Sequence, residues 1–126
     1  MDSQKKYEKE VMPIKNDLDT SEKTKTLLID FDGVLHDAPY GYQDGEIYGK
    51  PTDRAPEMLK KLFDAGFDCV VFTAREEADY PKIYDWLSEN GFPELPITNR
   101  KIPALAYIDD RAVRFTNWTD IVRLYI

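Results

Sequence analysis

The chain has 126 residues, 42% of them hydrophobic and 13% aromatic, which is enough for one domain with a hydrophobic core. The formal net charge of −7 argues against sequence-independent nucleic-acid binding, because such binding needs lysine and arginine to neutralise phosphates. The single cysteine, Cys69, cannot form an intrachain disulfide, and no apolar run reaches membrane-spanning length. The first residues also lack the apolar core of a signal peptide, so we expect a cytoplasmic protein without a membrane partner.

The N-terminal residues differ in composition from the rest of the chain. Residues 1–24 are rich in lysine, glutamate and aspartate, and they predict a charged tail or a short surface helix. Residues 25–126 have the apolar patterns of a folded core.

The first half of this core predicts strand, loop, helix and strand. The segment TLLID has strand character, and residues 36–52, rich in glycine, proline and tyrosine, predict a loop or flap that carries the only histidine, His36, at the surface. Residues 53–66 predict a helix that Thr52 or Asp53 caps and Gly66 ends, and a second strand, DCVVFT, follows.

The second half predicts a helix, three short strands and a closing helix. A loop leads into a helix that has Ile83, Trp86 and Leu87 on one face. The strands that follow are predicted from LPIT, ALAYID and RFTNW, and WTDIVRLYI predicts an amphipathic helix. Apolar strands that alternate with helices predict an α/β fold: a single Rossmann-like three-layer domain with a central parallel sheet.

Polar side chains follow most of the predicted strands. In chain order they are Asp30 and Asp32, then Thr73 and Arg75, then Arg100 and Lys101, then Asp109, Asp110 and Arg111. Because parallel strands place functional groups at their carboxyl ends, we expect these groups to meet in one cleft.

Four clustered carboxylates need a compensating charge, and Mg²⁺ prefers oxygen ligands together with a substrate oxygen such as that of a phosphate. Asp30 could then attack phosphorus and form an aspartyl-phosphate. Asp32 could protonate the leaving oxygen and later activate water, while Gly33 permits the turn that holds it over the site.

The order of these motifs resembles the haloacid dehalogenase (HAD) superfamily of phosphohydrolases. LLIDFDGVL is similar to its first motif, VVFTAR to its second, TNRK to its third and YIDDR to its fourth. The resemblance covers about residues 25–115.

The resemblance implies a role for each matched residue. Catalytic residues would be Asp30, Asp32, Thr73 and Lys101; substrate phosphate would be bound by Thr73, Arg75 and Lys101; and Mg²⁺ would be held by Asp30, Asp32 through its carbonyl oxygen, Asp109 and Asp110. Direct ligation is carried over to Asp110 and a helper role to Asp109, and Arg100 competes with Lys101 for the third motif.

The gaps between motifs leave no room for the cap domain that many HAD proteins insert, so the resemblance implies a capless, HAD-like phosphatase. An uncapped site would admit a phosphorylated small molecule, a nucleotide or a polynucleotide end, and a neighbouring subunit of a homo-oligomer could act as a lid. Two other functions stay open at this point. One is a receiver-like module that accepts a phosphoryl group in signalling, and the other is a degenerate, non-catalytic binding protein with the HAD fold.

Overall fold

The computed structural model describes residues 25–126, and the tail predicted over residues 1–24 lies outside the described residues. The described elements are β1 (Thr26–Asp30), α1 (Ala55–Asp64), β2 (Asp68–Phe72), a 3-10 helix (Glu77–Asp79), α2 (Tyr80–Glu89), β3 (Ile97–Thr98), β4 (Ala106–Ile108) and α3 (Trp118–Tyr125). The prediction of an α/β fold is confirmed.

The strands form one four-stranded sheet in the order β3-β2-β1-β4, and every pair is parallel. This arrangement is Rossmann-like. From β1 the chain proceeds to β2 and β3 on one side, and it then returns to β4 on the other side of β1. The strand order therefore reverses between β1 and β4, and a cleft at the carboxyl ends of two such strands is the usual ligand site of an open parallel sheet.

The core lies on both faces of the sheet, because alternate residues of β1 point in opposite directions. Leu27 and Ile29 belong to the larger cluster, which includes Leu59 of α1 and Ile83 and Leu87 of α2. Leu28 belongs to a smaller cluster on the opposite face, together with Val70 and Ile102. Each fully buried side chain of this kind stabilises the fold by roughly 1.5–3 kcal/mol, so β1 and β2 are held firmly beneath the site.

Helix α1 was predicted to be capped by Thr52 or Asp53 and to end at Gly66. Gly66 follows the helix with a φ of 97°, and the Gly66 N–H donates to the carbonyl of Phe63 at 3.1 Å, so the predicted end is confirmed. The predicted cap is wrong, because the residue that precedes the helix is Arg54, in a left-handed conformation and without a side-chain cap hydrogen bond. Proline in the first turn reduces the need for a cap, since it has no N–H to satisfy.

The predicted fifth strand is wrong. Residues 114–117 form no strand in the described part of the chain, and the side chain of Asn117 instead accepts a hydrogen bond from the Asp120 N–H at 2.9 Å, which starts α3. The sheet consequently ends at β4, and α3 leaves most of its side chains exposed. None of the described helices combines the length and the apolar character that a membrane span requires.

Candidate active site

Three carboxylates meet at the reversal point of the sheet. Asp30 ends β1 and Asp109 follows β4, and the pairing of Ile29 with Ile108 places these two aspartates side by side. Together with Asp110, they offer three carboxylate oxygens that lie within 4.8 Å of one another. The prediction that these distant segments converge is therefore confirmed by the geometry for Asp30, Asp109 and Asp110.

Burial and charge crowding act together on Asp30. Partial burial, the negative charge of Asp109 and, to a smaller degree, those of Asp110 and Asp32 raise the pKa of Asp30 from 3.8 to about 7. A hydrogen bond from the Phe31 N–H, 3.0 Å long, opposes this shift. Without a cation to compensate the surrounding charge, the side chain is thus only partly ionised near neutral pH.

The donor set of this cluster fits a hard divalent cation. The three side chains offer only oxygen atoms, and Asp109 and Asp110 are exposed, which leaves room for water molecules and a substrate oxygen. The charge crowding that raises the pKa of Asp30 is also what a bound cation would relieve. The assignment of direct metal ligation to Asp110 and of a helper role to Asp109 stays a prediction. The Asp109 carboxylate accepts a hydrogen bond from the Arg111 N–H at 2.7 Å.

Gly33 shapes the approach to the cluster. Its φ is 92°, as the predicted turn after Asp32 requires, and a Cβ at this position would lie 2.8 Å from Cγ of Asp110. The turn therefore needs glycine for two reasons, its backbone conformation and its closeness to a carboxylate of the site.

Asp32 has a different environment from Asp30. Its carboxylate accepts hydrogen bonds from Arg75 Nε at 2.9 Å and Arg75 Nη2 at 3.1 Å, and it lies 2.9 Å from Nδ1 of His36. Partial burial alone would raise the pKa of Asp32, but hydrogen bonds from Arg75 and His36 and the positive charge of Arg75 outweigh burial and lower the pKa. The Asp32 side chain is therefore held apart from the acidic cluster, and its carbonyl oxygen is the atom left for the predicted metal ligation.

His36 is fully buried, so the prediction of a surface histidine is wrong. Its ring stacks on Phe31 with centroids 5.4 Å apart, and it meets the Trp86 ring edge to face. The Gly49 N–H donates to Nε2 at 2.9 Å, so Nε2 has no proton and Nδ1 must donate to Asp32. The flap returns to cover this histidine, and a sequence pattern cannot reveal a contact made by a backbone N–H thirteen residues away.

Arg75 is also buried, with 4% of its side chain exposed. Besides Asp32, it donates through Nη1 to the Gly45 carbonyl at 2.7 Å, and its guanidinium carbon lies 5.5 Å from the centroid of the Tyr42 ring. The phosphate-binding role of Arg75 stays a prediction. A cavity of about 340 Å³ opens beside this pair and is lined by Asp32, Tyr42, Ala74, Arg75, Glu76 and Asp79.

The remaining predicted residues occupy two different positions. Thr73 is buried directly after β2, the strand that pairs with β1, and its hydroxyl accepts a hydrogen bond from the Arg75 N–H at 3.1 Å. Arg100 and Lys101 are exposed in the loop after β3, two strands from β1. Within residues 25–126, no side-chain hydrogen bond or ion pair joins Lys101 to the acidic groups, so its assignment to the third motif stays a prediction.

Comparison with known proteins supports the fold. No family model matches the chain, and no curated protein matches it. Among solved structures, the chain is similar to a conserved protein from Bacteroides thetaiotaomicron, with a TM-score of 0.58 and 25% sequence identity over 79% of this chain and 87% of that chain. This likeness includes most of the chain, and it carries no statement about activity.

Proposed function

We propose that this protein is a magnesium-dependent phosphomonoester hydrolase of the capless HAD type, which acts through an aspartyl-phosphate at Asp30. One observation carries the proposal: the carboxylates of Asp30, Asp109 and Asp110 converge within 4.8 Å, while Asp32, two residues from Asp30, is hydrogen-bonded outside that cluster. Two aspartates so close in sequence but so different in environment are suited to two separate tasks.

In the first step, a carboxylate oxygen of Asp30 attacks phosphorus, and the bond between phosphorus and the leaving oxygen breaks. The Asp32 carboxyl group gives its proton to that leaving oxygen. Because Arg75 and His36 lower the pKa of Asp32, this carboxyl group is ionised in nearly all of the free enzyme near neutral pH, and the negative charge of a bound phosphate would favour its protonation.

In the second step, the Asp32 carboxylate takes a proton from water, and the water oxygen attacks the same phosphorus atom. The bond between phosphorus and the Asp30 oxygen breaks, which releases inorganic phosphate and returns Asp30 to its carboxylate form. Mg²⁺ held by the carboxylates of the cluster would neutralise the charge of the phosphoryl group. Thr73, buried at the end of β2, is the proposed hydroxyl donor to a phosphoryl oxygen.

The test is a phosphate-release assay over sugar phosphates, nucleotides and oligonucleotides with a terminal phosphate, with Mg²⁺ or with a chelator. We expect wild-type turnover that requires Mg²⁺, and a loss of at least about 1000-fold in Asp30→Asn, because the nucleophile is removed. Asp53→Asn removes an exposed carboxylate outside the site and should leave turnover unchanged. Normal turnover in Asp30→Asn would exclude the nucleophile.

The same assay separates the other two functions. A receiver-like module would accept one phosphoryl group without catalytic turnover, and a degenerate binding protein would release no phosphate from any member of the panel. Multiple turnovers that are lost in Asp32→Asn would exclude both.

A further inference from the structure

We propose that His36 is a positioning residue that holds Asp32 in the geometry for proton transfer to the leaving oxygen, and that the loop of residues 37–50 fixes His36 for this task. The inference rests on the proposed function, since it assigns Asp32 the acid–base role. It starts from the two contacts that the ring nitrogens of His36 make, one with Asp32 and one with Gly49.

The contacts of His36 define a single orientation of its ring. Nε2 accepts the Gly49 N–H at 2.9 Å, so the proton of a neutral ring must be on Nδ1, where it faces Asp32 Oδ1 at 2.9 Å. Phe31 and Trp86 pack against the ring and hold its plane. A flip of the ring would turn carbon atoms toward both hydrogen-bonding partners, so the packed ring has one stable orientation.

Burial separates a positioning role from a catalytic one. His36 has no exposed surface, and the nitrogen that faces away from Asp32 is already occupied by a backbone N–H. The ring therefore has no route by which to exchange a proton with solvent through Nε2. It can direct the Asp32 carboxylate, but it cannot replace the proton that Asp32 gives away.

The loop that covers His36 also reaches Asp32 by a second route. Arg75 donates to both oxygens of Asp32, and its Nη1 donates to the carbonyl of Gly45 in the same loop. A Cβ at Gly49 would collide with the backbone carbonyl of Asp37 and lie 3.0 Å from Nε2 of His36, so the loop packs tightly over the histidine. Two side chains thus connect one loop to both oxygens of the proposed acid–base group.

The first experiment needs no turnover. His36 is the only histidine of the chain, so NMR of a protein with ¹⁵N-labelled histidine reports this one ring without ambiguity. We expect the neutral ring with its proton on Nδ1 and slow exchange of that proton, and we expect Asp32→Ala to speed the exchange at least about tenfold, because the acceptor is lost. A proton on Nε2, or an exchange rate that Asp32→Ala does not change, would overturn the proposal.

The second experiment compares two substitutions that each retain one of the two contacts. Asparagine can place an N–H donor where Nδ1 stands, and glutamine can place an oxygen acceptor where Nε2 stands. His36→Asn should therefore retain the contact with Asp32, whereas His36→Gln should retain only the contact with Gly49. Thermal unfolding of both variants shows whether each is folded before its kinetics are compared.

The kinetic readout is the rate at which the leaving group is released in the first turnover, compared between two leaving groups, because the second step uses Asp32 as a base for every substrate. A poor alkoxide leaving group needs a proton from Asp32, whereas p-nitrophenolate leaves without one. For an alkyl phosphate we expect the rate of alcohol release in the first turnover to fall about 10- to 100-fold in His36→Gln, with little change in the rate of p-nitrophenolate release from p-nitrophenyl phosphate. His36→Asn should recover most of the loss.

The possible failures are distinct. Equal losses of the first-turnover rate on both substrates, or a loss in His36→Gln that His36→Asn does not recover, would mean that His36 only supports the fold, and an unchanged first-turnover rate would mean that it has no role. A wild-type protein that hydrolyses neither substrate would reject the proposed function together with the catalytic part of this inference. The NMR experiment would still decide whether His36 holds Asp32.

Discussion

At the scale of the residue, the site depends on two aspartates whose pKa values move in opposite directions. Partial burial and the carboxylates of the cluster raise the pKa of Asp30 to about 7, whereas hydrogen bonds from Arg75 and His36 lower the pKa of Asp32. Asp30 and Asp32 have identical side chains and are separated only by Phe31. Their different surroundings are therefore what gives them different acid strengths. The raised pKa has a consequence for stability that can be measured without a substrate.

In metal-free buffer, Asp30 should make the protein less stable as the pH rises from about 4 to about 7. The folded state holds the proton of Asp30 up to a pH of about 7, while the unfolded chain releases it near 3.8, so the folded state binds more protons in this window. Stability therefore falls across the window, and the loss is complete above pH 7. Since the side chain is only half buried, the effect is on the order of 1–2 kcal/mol rather than the full value implied by the shift.

Asp30→Asn tests this expectation by denaturant unfolding at pH 4 and pH 8 with a chelator present. The substitution should stabilise the metal-free protein at pH 8 and have little effect near pH 4, because asparagine carries no charge but retains the acceptor for the Phe31 N–H. Mg²⁺ should stabilise the wild type at pH 8 more than it stabilises the variant. An Asp30→Asn protein no more stable than wild type at pH 8 would show that the charge crowding is not real.

At the scale of the element, the site is built by how the strands end. Parallel pairing places Asp30 beside Asp109, and the turn at Gly33 then passes close to Asp110. Gly66, at the end of α1, has nearly the same backbone conformation, with φ of 97° against 92°, but it has no heavy atom within 4 Å of a Cβ. Alanine substitutions at the two glycines should therefore cause similar backbone strain, and only the one at Gly33 should also collide with the site.

Gly33→Ala should weaken Mg²⁺ binding about 10- to 100-fold, because the new methyl group would displace Asp110 from the cluster. Gly66→Ala should leave Mg²⁺ affinity unchanged, and both substitutions should destabilise the fold by about 1–2 kcal/mol, since each imposes a positive φ on alanine. Isothermal titration calorimetry with Mg²⁺ measures the affinity, and denaturant unfolding measures the shared strain. Equal Mg²⁺ affinities in the two variants would mean that Asp110 takes no part in binding the metal.

The elements that sequence patterns predicted best are those with a buried face. β1, β2 and α2 were predictable because short apolar runs and helical spacing follow directly from which side chains are buried. The segment RFTNW was also predicted as a strand, but that prediction was wrong because Asn117 starts a helix there. Short-range pattern thus predicts an element only where the fold also supplies a partner for it.

The same limit applies to the site. Asp30, Asp109 and Asp110 were predictable as a cluster because parallel strands carry the groups at their carboxyl ends to one edge. The contacts of Asp32 were not predictable, because they depend on the 37–50 loop. This loop must close over His36 before the Gly49 N–H can contact the histidine ring that faces Asp32. Contacts that depend on the path of a loop produce no periodic pattern of apolar residues in the sequence.

At the scale of the whole molecule, the site combines the carboxyl ends of the strands with one folded loop. The reversal between β1, which is buried, and β4, which is exposed, brings the acidic cluster together, and the 37–50 loop fixes Asp32 next to a cavity. A conserved Bacteroides thetaiotaomicron protein has a similar fold over most of its length, so this architecture is not peculiar to the present chain. The account as a whole depends on whether a phosphoryl group becomes attached to Asp30.

That attachment can be measured by chemical trapping. Asp32→Asn, incubated with Mg²⁺ and p-nitrophenyl phosphate, should form the aspartyl-phosphate, because p-nitrophenolate leaves without a proton. The variant should break this intermediate down slowly, because the attacking water needs the base that the substitution removes. Borohydride reduces an acyl phosphate to an alcohol, so mass spectrometry of the digested protein should find homoserine in place of aspartate at position 30. Homoserine at Asp30 is the result that the account predicts. Its absence there while the wild type releases phosphate, or its appearance at Asp109 or Asp110 instead, would contradict it.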